Sequence, residues 1–264
     1  MAEMRLSPSG PTVEVIGGAT QGEPQDGDSP VWDAAGDVWT FGRANPRLII
    51  ADKGDHFMGG AHSVVGNSTV GQIGELRWNS QFDTTSGSCA MAASEPGHPG
   101  ILRIQSANPG RQAIYLGALS PPSAWCDNED IGAVTYRFRP EADGCNVGLG
   151  ITPNGANLGN DGIFIQANIA ANANYRVLSR QGGSTTVVVT GVPVVLGGQF
   201  HDVRLERLSA TRWDVYLDEV LVASFDSSNG DNVPSLALMP IVQTTSVGAG
   251  AAIVDLDAFS FEVA

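Results

Sequence analysis

The chain contains a single lysine, Lys53, and only 14 basic residues against 28 acidic ones, for a formal net charge of −14. A charge excess of that sign is repelled by phosphate backbones and anionic lipid surfaces, so neither nucleic acid nor a membrane is expected as a partner. Long apolar runs are also missing. No stretch approaches the ~18 consecutive apolar residues of a membrane span, and the opening MAEMRLSPSG carries nothing that reads as a secretory leader. Cysteine is scarce: Cys89, Cys126 and Cys145 are odd in number and have no CxxC spacing. They are expected to be reduced thiols in a protein made in a cytosol. Helical periodicity is absent too, since no window of ~12 residues repeats apolar side chains at spacings of 3, 4 and 7 among good helix formers.

Several chemistries lack their usual residues. Polysaccharide-cleaving jelly rolls need two carboxylates ~5–10 Å apart, and an E-x-D-x-E triplet on one strand face does not occur. The nearest pairs are Asp255/Asp257, expected on the solvated face of an edge-like strand, and Glu129/Asp130 in a loop. There is no G-x-S-x-G nucleophile elbow, and GNDG (159–162) and GGSTT (182–186) read as glycine turns because neither leads into a helix. His56 and His62, near Asp52 and Asp55, are the right residue types for a metal but have no recognised spacing. CDNED (126–130) and DSSNGDN (226–232) could offer oxygens to calcium, yet as turns they need no ion. His98 and His201 read as structural. No cofactor and no metal are therefore expected, and no catalytic residue is assigned.

What the sequence does have is β signal. From about residue 70 onward, short apolar-alternating runs follow one another: ILRIQS (101–106), AVTYRFR (133–139), GIFIQAN (162–168), NYRVLSR (174–180), HDVRLERL (201–208), RWDVYLD (212–218) and others, ending in AIVDLDAFSFEV (252–263). Each is bounded by Gly, Pro, Asn, Asp or Ser, which supply turn geometry. About a dozen such strands, in a chain with 33 glycines, predict an all-β jelly-roll sandwich over 71–264. In the last run Val254 and Leu256 are in phase, but Phe259 and Phe261 are one residue out. That predicts a β-bulge near Ala258.

Residues 1–70 read differently. GGATQGEPQDGDSPVWDAAGDVW is too polar and too rich in Gly and Pro to build its own core. Yet Trp32, Trp39, Phe41 and Ile49 are costly to leave in water, at roughly 1.5–3 kcal/mol per buried side chain. The segment must pack on something: on the jelly roll of its own chain, or on other chains as an extended N-terminal docking and trimerisation arm with these four residues as its contacts.

Two stretches resemble known families. GDSPVWDAAGDVWTFG resembles the short extended repeats of bacteriophage fibre proteins. GQIGELRW (71–78), EPGHPGILRIQS (95–106) and the RWDVYLDEVLVASF … AAIVDLDAFSF tail resemble the concanavalin A-like jelly rolls of tailed-phage virion proteins. One departure is the hairpin, which has Asp218-Glu219 where that pattern has Asp-Gly. A type I′ turn would be strained there, so another turn type is expected. The resemblance implies a homotrimeric, surface-exposed capsid decoration or cement protein, made in the host bacterial cytoplasm and located in the virion. Its partner would be the major capsid protein or another virion protein. A tail fibre or spike binding a host surface glycan, with Trp125 and Tyr175 as candidate sugar contacts, is the second reading. A polysaccharide-active enzyme is the third, disfavoured by the missing triplet.

Overall fold

The computed structural model describes residues 3–6, 13–16, 28–33, 38–43, 54–55, 63–65, 68–73, 78–82, 87–93, 95–96, 98, 100–106, 110–115, 118–119, 122–123, 131–142, 144–150, 160–167, 173–235, 238–246 and 250–264. The chain divides into two compact units, Met1–Ile50 and Ala51–Ala264. Within the first unit, β1 (Glu3–Leu6) pairs with β2 (Val13–Ile16), and β3 (Asp28–Asp33) pairs with β4 (Val38–Arg43), both antiparallel. The expected extended arm thus holds two hairpins, and the second sets Trp32 opposite Trp39.

The second unit is a sandwich of two antiparallel sheets, as the alternation predicts. The first sheet runs β21 (Val220–Asp226), β20 (Arg212–Leu217), β19 (His201–Ser209), β14 (Ile131–Ala142) and β23 (Ile253–Val263). It continues through β10 (Leu102–Gln105), β9 (Ser88–Met91) and β6 (Ser63–Val65), while β5 (Gly54–Asp55) also pairs with β23. The second sheet runs β18 (Ser184–Pro193), β17 (Asn174–Gln181), β16 (Gly162–Ala167) and β15 (Gly144–Gly150). Its remaining strands are β22 (Met239–Thr245), β11 (Arg111–Tyr115), β8 (Trp78–Phe82) and β7 (Ser68–Ile73). A two-strand pair, β12 (Ala118–Leu119) with β13 (Pro122–Ser123), lies outside both sheets. Because β5 and β6 pair into the first sheet, the sandwich begins some way before residue 71, where the sequence placed its start.

The inner faces follow the period of two. Val134, Tyr136, Phe138, Val203, Leu205, Trp213 and Val215 of the first sheet are buried, facing Val147, Leu149, Ile163, Ile165, Tyr175 and Val177 of the second. Contacts across the sandwich fix this assignment. Tyr136 donates its hydroxyl to the Gly148 carbonyl at 2.6 Å, and Trp78 meets Phe259 edge-on at 4.9 Å. The bulge expected near Ala258 is present. Arg137 pairs with Ala258 and Phe138 with Leu256, which leaves Asp257 as the extra residue. That insertion brings Phe259 and Phe261 into phase with Val254 and Leu256, and all four are buried.

The hairpin between β20 and β21 corrects the sequence expectation. Asp218 and Glu219 both have positive φ, 49° and 66°, between the paired residues Leu217 and Val220. Those are the signs of a type I′ turn built without glycine. Asp218 holds it by its side chain: Oδ2 lies 2.7 Å from His201 Nδ1, and Oδ1 accepts from the Asp202 amide at 2.9 Å.

Candidate functional site

The two sheets differ sharply in chemistry. None of the second sheet's strands contains an Asp or Glu. The first sheet's strands carry Asp55, Glu141, Asp202, Glu206, Asp214, Asp226, Asp255, Asp257 and Glu262.

On the carboxylate-free sheet, one polar row crosses four neighbouring strands. The register places Gln243 opposite Asn146, Asn146 opposite Gln166, and Gln166 opposite Arg176. These positions alternate with the inward-facing Val147, Ile165 and Val177, so the row points away from the first sheet. Neighbouring strands lie ~4.8 Å apart, close enough for each side chain to reach the next. Gln166 Nε2 donates to Asn146 Oδ1 at 2.7 Å, and Asn146 Nδ2 donates to Gln243 Oε1 at 3.4 Å. Arg176 Nη2 donates to Gln166 Oε1. Asn146 and Gln243 are buried, while Gln166 and Arg176 are half-buried. In backbone register the row continues to Ala113 and Gln81. Phe164 and Leu178 flank it on the same face. Phe164 lies close because its neighbour is Gly148, where an added Cβ would stand 2.1 Å from the Ile163 carbonyl oxygen.

An amide carries two donor hydrogens and an acceptor oxygen, and a guanidinium carries five donors. Linked in one line, these groups are held in fixed orientations. The half-buried Gln166 and Arg176 can hydrogen-bond a neutral polar surface, with the buried Asn146 and Gln243 fixing the row behind them, and with no carboxylate in the row it offers no general acid or base.

The acidic sheet has a different centre. Asp255 is fully buried in β23, a central strand flanked by β14 and β10, which corrects the expected solvated face of an edge-like strand. The side chain points outward but is covered. Arg103 donates to its two oxygens at 2.7 and 2.8 Å, and Arg139 donates to Oδ2 at 2.9 Å. Arg139 also makes a two-pronged pair with Glu95 at 2.9 and 2.7 Å. It lies 4.4 Å over the Phe200 ring. His98 stacks on the same ring with centroids 4.4 Å apart and sits 2.8 Å from Asp257. Burial alone would raise the Asp255 carboxyl, but hydrogen bonds from Arg103 and Arg139 outweigh it and hold the group below the usual range. The Arg139 hydrogen bond likewise lowers Glu95. Burial, and then the Asp255 charge, raise Glu141. The cluster clamps Glu95, His98 and Phe200 against the sheet.

Among the other residues singled out by sequence, Tyr175 needs correction as a sugar contact. It is 0 % exposed, on the inner face, with its ring against Phe138 at 6.1 Å and His201 at 5.5 Å. The strand period explains this, because Tyr175 shares the phase of Val177 and the outward position belongs to Arg176. Trp125, Ile49, His56, His62, Asp52, Glu129, Asp130 and the CDNED loop lie outside the described residues. Trp32, Trp39 and Phe41 have described backbones, while their side chains lie outside that description. In DSSNGDN, Asp226 Oδ1 accepts from the Ser228 amide at 2.8 Å, and Asp231 Oδ2 accepts from the Asp226 amide at 3.0 Å. Cys89 and Cys145 are buried and form no disulfide, and burial pushes the Cys145 thiol up to about 12. Sequence reasoning missed the amide row. Its signal was an amide interrupting each apolar run: Asn146 in CNVGLG, Gln166 in GIFIQA and Gln243 at the end of MPIVQ.

Solved structures with the same architecture include carbohydrate-binding and glucanase domains. The carbohydrate recognition domain of Emp47p is 13% identical over 76% of this chain and 95% of that one, with a TM-score of 0.50. The β-glucanase of Bacillus licheniformis is 9% identical over 80% of this chain and 98% of that one, with a TM-score of 0.47. The carbohydrate-binding module CBM66 from Bacillus subtilis is 15% identical over 69% and 92%, with a TM-score of 0.42. At these identities the likeness is one of fold, a concanavalin A-like jelly roll. No protein-family model and no curated protein sequence matches the chain.

Proposed function

We propose that the chain is a surface protein of a tailed-phage virion whose sandwich binds a host glycan without cleaving it. The observation that carries this reading is the Gln243–Asn146–Gln166–Arg176 row on strands without a carboxylate. Sugars present hydroxyls that each donate and accept, and linked planar amides match that pattern with little reorganisation. Hydrolysis needs a carboxylate pair, and the outward carboxylate nearest to such a pair, Asp255, is held ionised by two arginines. The virion setting is supported by the GDSPVWDAAGDVWTFG and EPGHPGILRIQS motifs. In this reading the N-terminal segment docks a homotrimer on a capsid or tail protein.

The test is binding of the full-length protein to purified host surface polysaccharide. Gln166→Ala with Arg176→Met should reduce affinity at least tenfold while the protein stays folded, and no reducing ends should appear. Undiminished binding by the double variant, or release of reducing ends, rejects the reading. The docking part is tested separately. Trp32→Ala with Trp39→Ala in the full chain should turn a sedimenting trimer into a monomer. Virions lacking the protein should adsorb poorly. If they adsorb normally but burst at lower temperature, the capsid-cement role takes the place of glycan recognition.

A further inference from the structure

We propose that the outer face of the acidic sheet carries a second site, for an oligosaccharide of amino sugars with free amino groups. This goes beyond the first reading and does not depend on it, because the two rows lie on opposite faces of the sandwich.

A groove of about 630 Å³ runs over β23, β14, β19 and β20, and its lining includes Ser260, Thr135, Arg204, Tyr216, Arg137 and Asp202. That volume lies within the ~300–1,000 Å³ of small-molecule sites. The register sets Ser260 opposite Thr135, Thr135 opposite Arg204, and Arg204 opposite Tyr216. Two hydroxyls, a guanidinium and a phenol thus stand in one line across four strands. Leu221, opposite Tyr216, extends the line and is 49% exposed, beside Val220 at 61%. The Leu221 side chain suits the C–H face of a sugar ring, whereas Val220, opposite the buried Leu217, belongs to the other face.

Charge selects among sugars. Arg137 is paired with Asp202 through two bonds of 2.8 and 2.7 Å. Arg204 donates to Glu262 at 2.8 Å and to Glu206 at 3.2 Å. Such pairs fix the guanidinium planes and cancel their charge. The lining then holds two arginines against Asp202, Glu206 and Glu219, which leaves −1 before Glu262 beside it is counted. Glu219 stands exposed at the hairpin turn, and among the described residues none of the ion pairs around the groove uses it. An acidic sugar is repelled here and an ammonium is attracted.

A basic peptide would meet the same charge but not the same geometry. The groove floor is a sheet face, whose backbone groups are already spent in the ladder, so strand addition has no free edge to use. The ligand must bond to side chains, as a sugar does.

Three linear trimers discriminate when titrated calorimetrically into the full-length protein: tri-glucosamine, cellotriose and tri-galacturonate. Tri-glucosamine should bind at least tenfold more tightly than cellotriose, with tri-galacturonate showing no heat of binding, and added salt should weaken the first. Tyr216→Ala should cut tri-glucosamine affinity tenfold or more, and the exposed Glu219→Gln about fivefold, while Gln166→Ala leaves it unchanged. No binding of tri-glucosamine overturns the assignment, as does equal binding of tri-galacturonate or indifference to both groove variants. A tri-lysine peptide that binds as tightly as tri-glucosamine assigns the groove to basic peptides instead. Loss on Gln166→Ala alone moves the ligand to the amide row.

Discussion

The two sheets of one sandwich solve the same problem in opposite ways. Each has an apolar inner face and must put polar groups on the other. The acidic sheet does so with ions: arginines on β10, β14, β19 and β20 are matched to carboxylates within and between strands. The other sheet does so with amides, hydroxyls and arginines, and with no carboxylate on its strands. The difference matters because ions and amides respond differently to pH, salt and truncation. A buried ion left without its partner costs far more than an amide that loses one hydrogen bond. An ionic face is also selective by charge, whereas an amide face is selective by geometry.

The largest test of this contrast is Asp255→Asn. It takes away the carboxylate that Arg103 and Arg139 share in a fully covered position, leaving Glu95 and Glu141 as their remaining partners, and should lower unfolding free energy by roughly 2–4 kcal/mol. Denaturant midpoints at neutral pH measure it. A loss under about 1 kcal/mol would mean the cluster is solvated like a surface pair, and the contrast between the sheets would fail.

Acid should act next, and on one sheet only. Asp255, Glu95 and Glu262 are held below their ordinary values by arginine hydrogen bonds, which for Asp255 outweigh burial. A lowered carboxylate contributes stability that is complete above its unfolded pKa, about 4, and is lost as pH falls through the folded value. Glu141, raised by burial, acts oppositely: its contribution is complete below its unfolded pKa and is lost as pH rises through the raised value. Asp226, lowered by hydrogen bonds from Ser228, adds a fourth, and four lowered groups against one raised group predict that acid loosens the acidic sheet. Hydrogen exchange, corrected for intrinsic rate, should show β14 and β23 losing protection between pH 4 and 2 before β15 and β16. Simultaneous loss in both sheets would break the comparison.

The strand run was legible because alternation is local. Val203/Leu205 and Trp213/Val215 declare their faces within a few residues, and the phase slip from Leu256 to Phe259 announced the bulge. The site was less legible, since which polar residues meet depends on register between strands far apart in sequence. Asp255 read as solvated because its cover, Glu95, His98 and Phe200, comes from segments that no strand pattern ties to β23. Tyr175 read as a sugar contact on residue type alone, when its phase with Val177 already placed it inside. Asp218-Glu219 read as incompatible with a type I′ turn because the sequence does not show that His201 and the Asp202 amide hold the Asp218 carboxylate.

On the amide sheet the corresponding truncation should be milder. Asn146→Leu removes the link between Gln166 and Gln243 and leaves their amide groups to find new partners. The expected loss is about 1–3 kcal/mol by thermal or denaturant unfolding, with no dependence on pH between 4 and 7, since no group of the row titrates in that range. A pH-dependent loss would show that a carboxylate reaches this face after all.

The smallest effect concerns the turn where the acidic sheet departs from the usual hairpin sequence. Glu219 has φ of 66° and carries a Cβ in a region that glycine enters freely. Its partner Asp218 has side-chain bonds that hold its own positive φ, whereas Glu219 is exposed at the turn without an ion pair among those around the groove. Glu219→Gly should therefore stabilise the sandwich by about 0.5–1 kcal/mol, the relief of the left-handed strain less the entropy that glycine adds to the unfolded chain. Thermal unfolding of the full chain measures this as a rise of a few degrees in Tm. The same substitution removes an exposed negative charge from the groove, so tri-glucosamine affinity should fall while stability rises. Opposite signs for the two readouts would show that the acidic sheet keeps a strained residue for its charge. A fall in both would mean that Glu219 supports the turn through a contact that glycine cannot make.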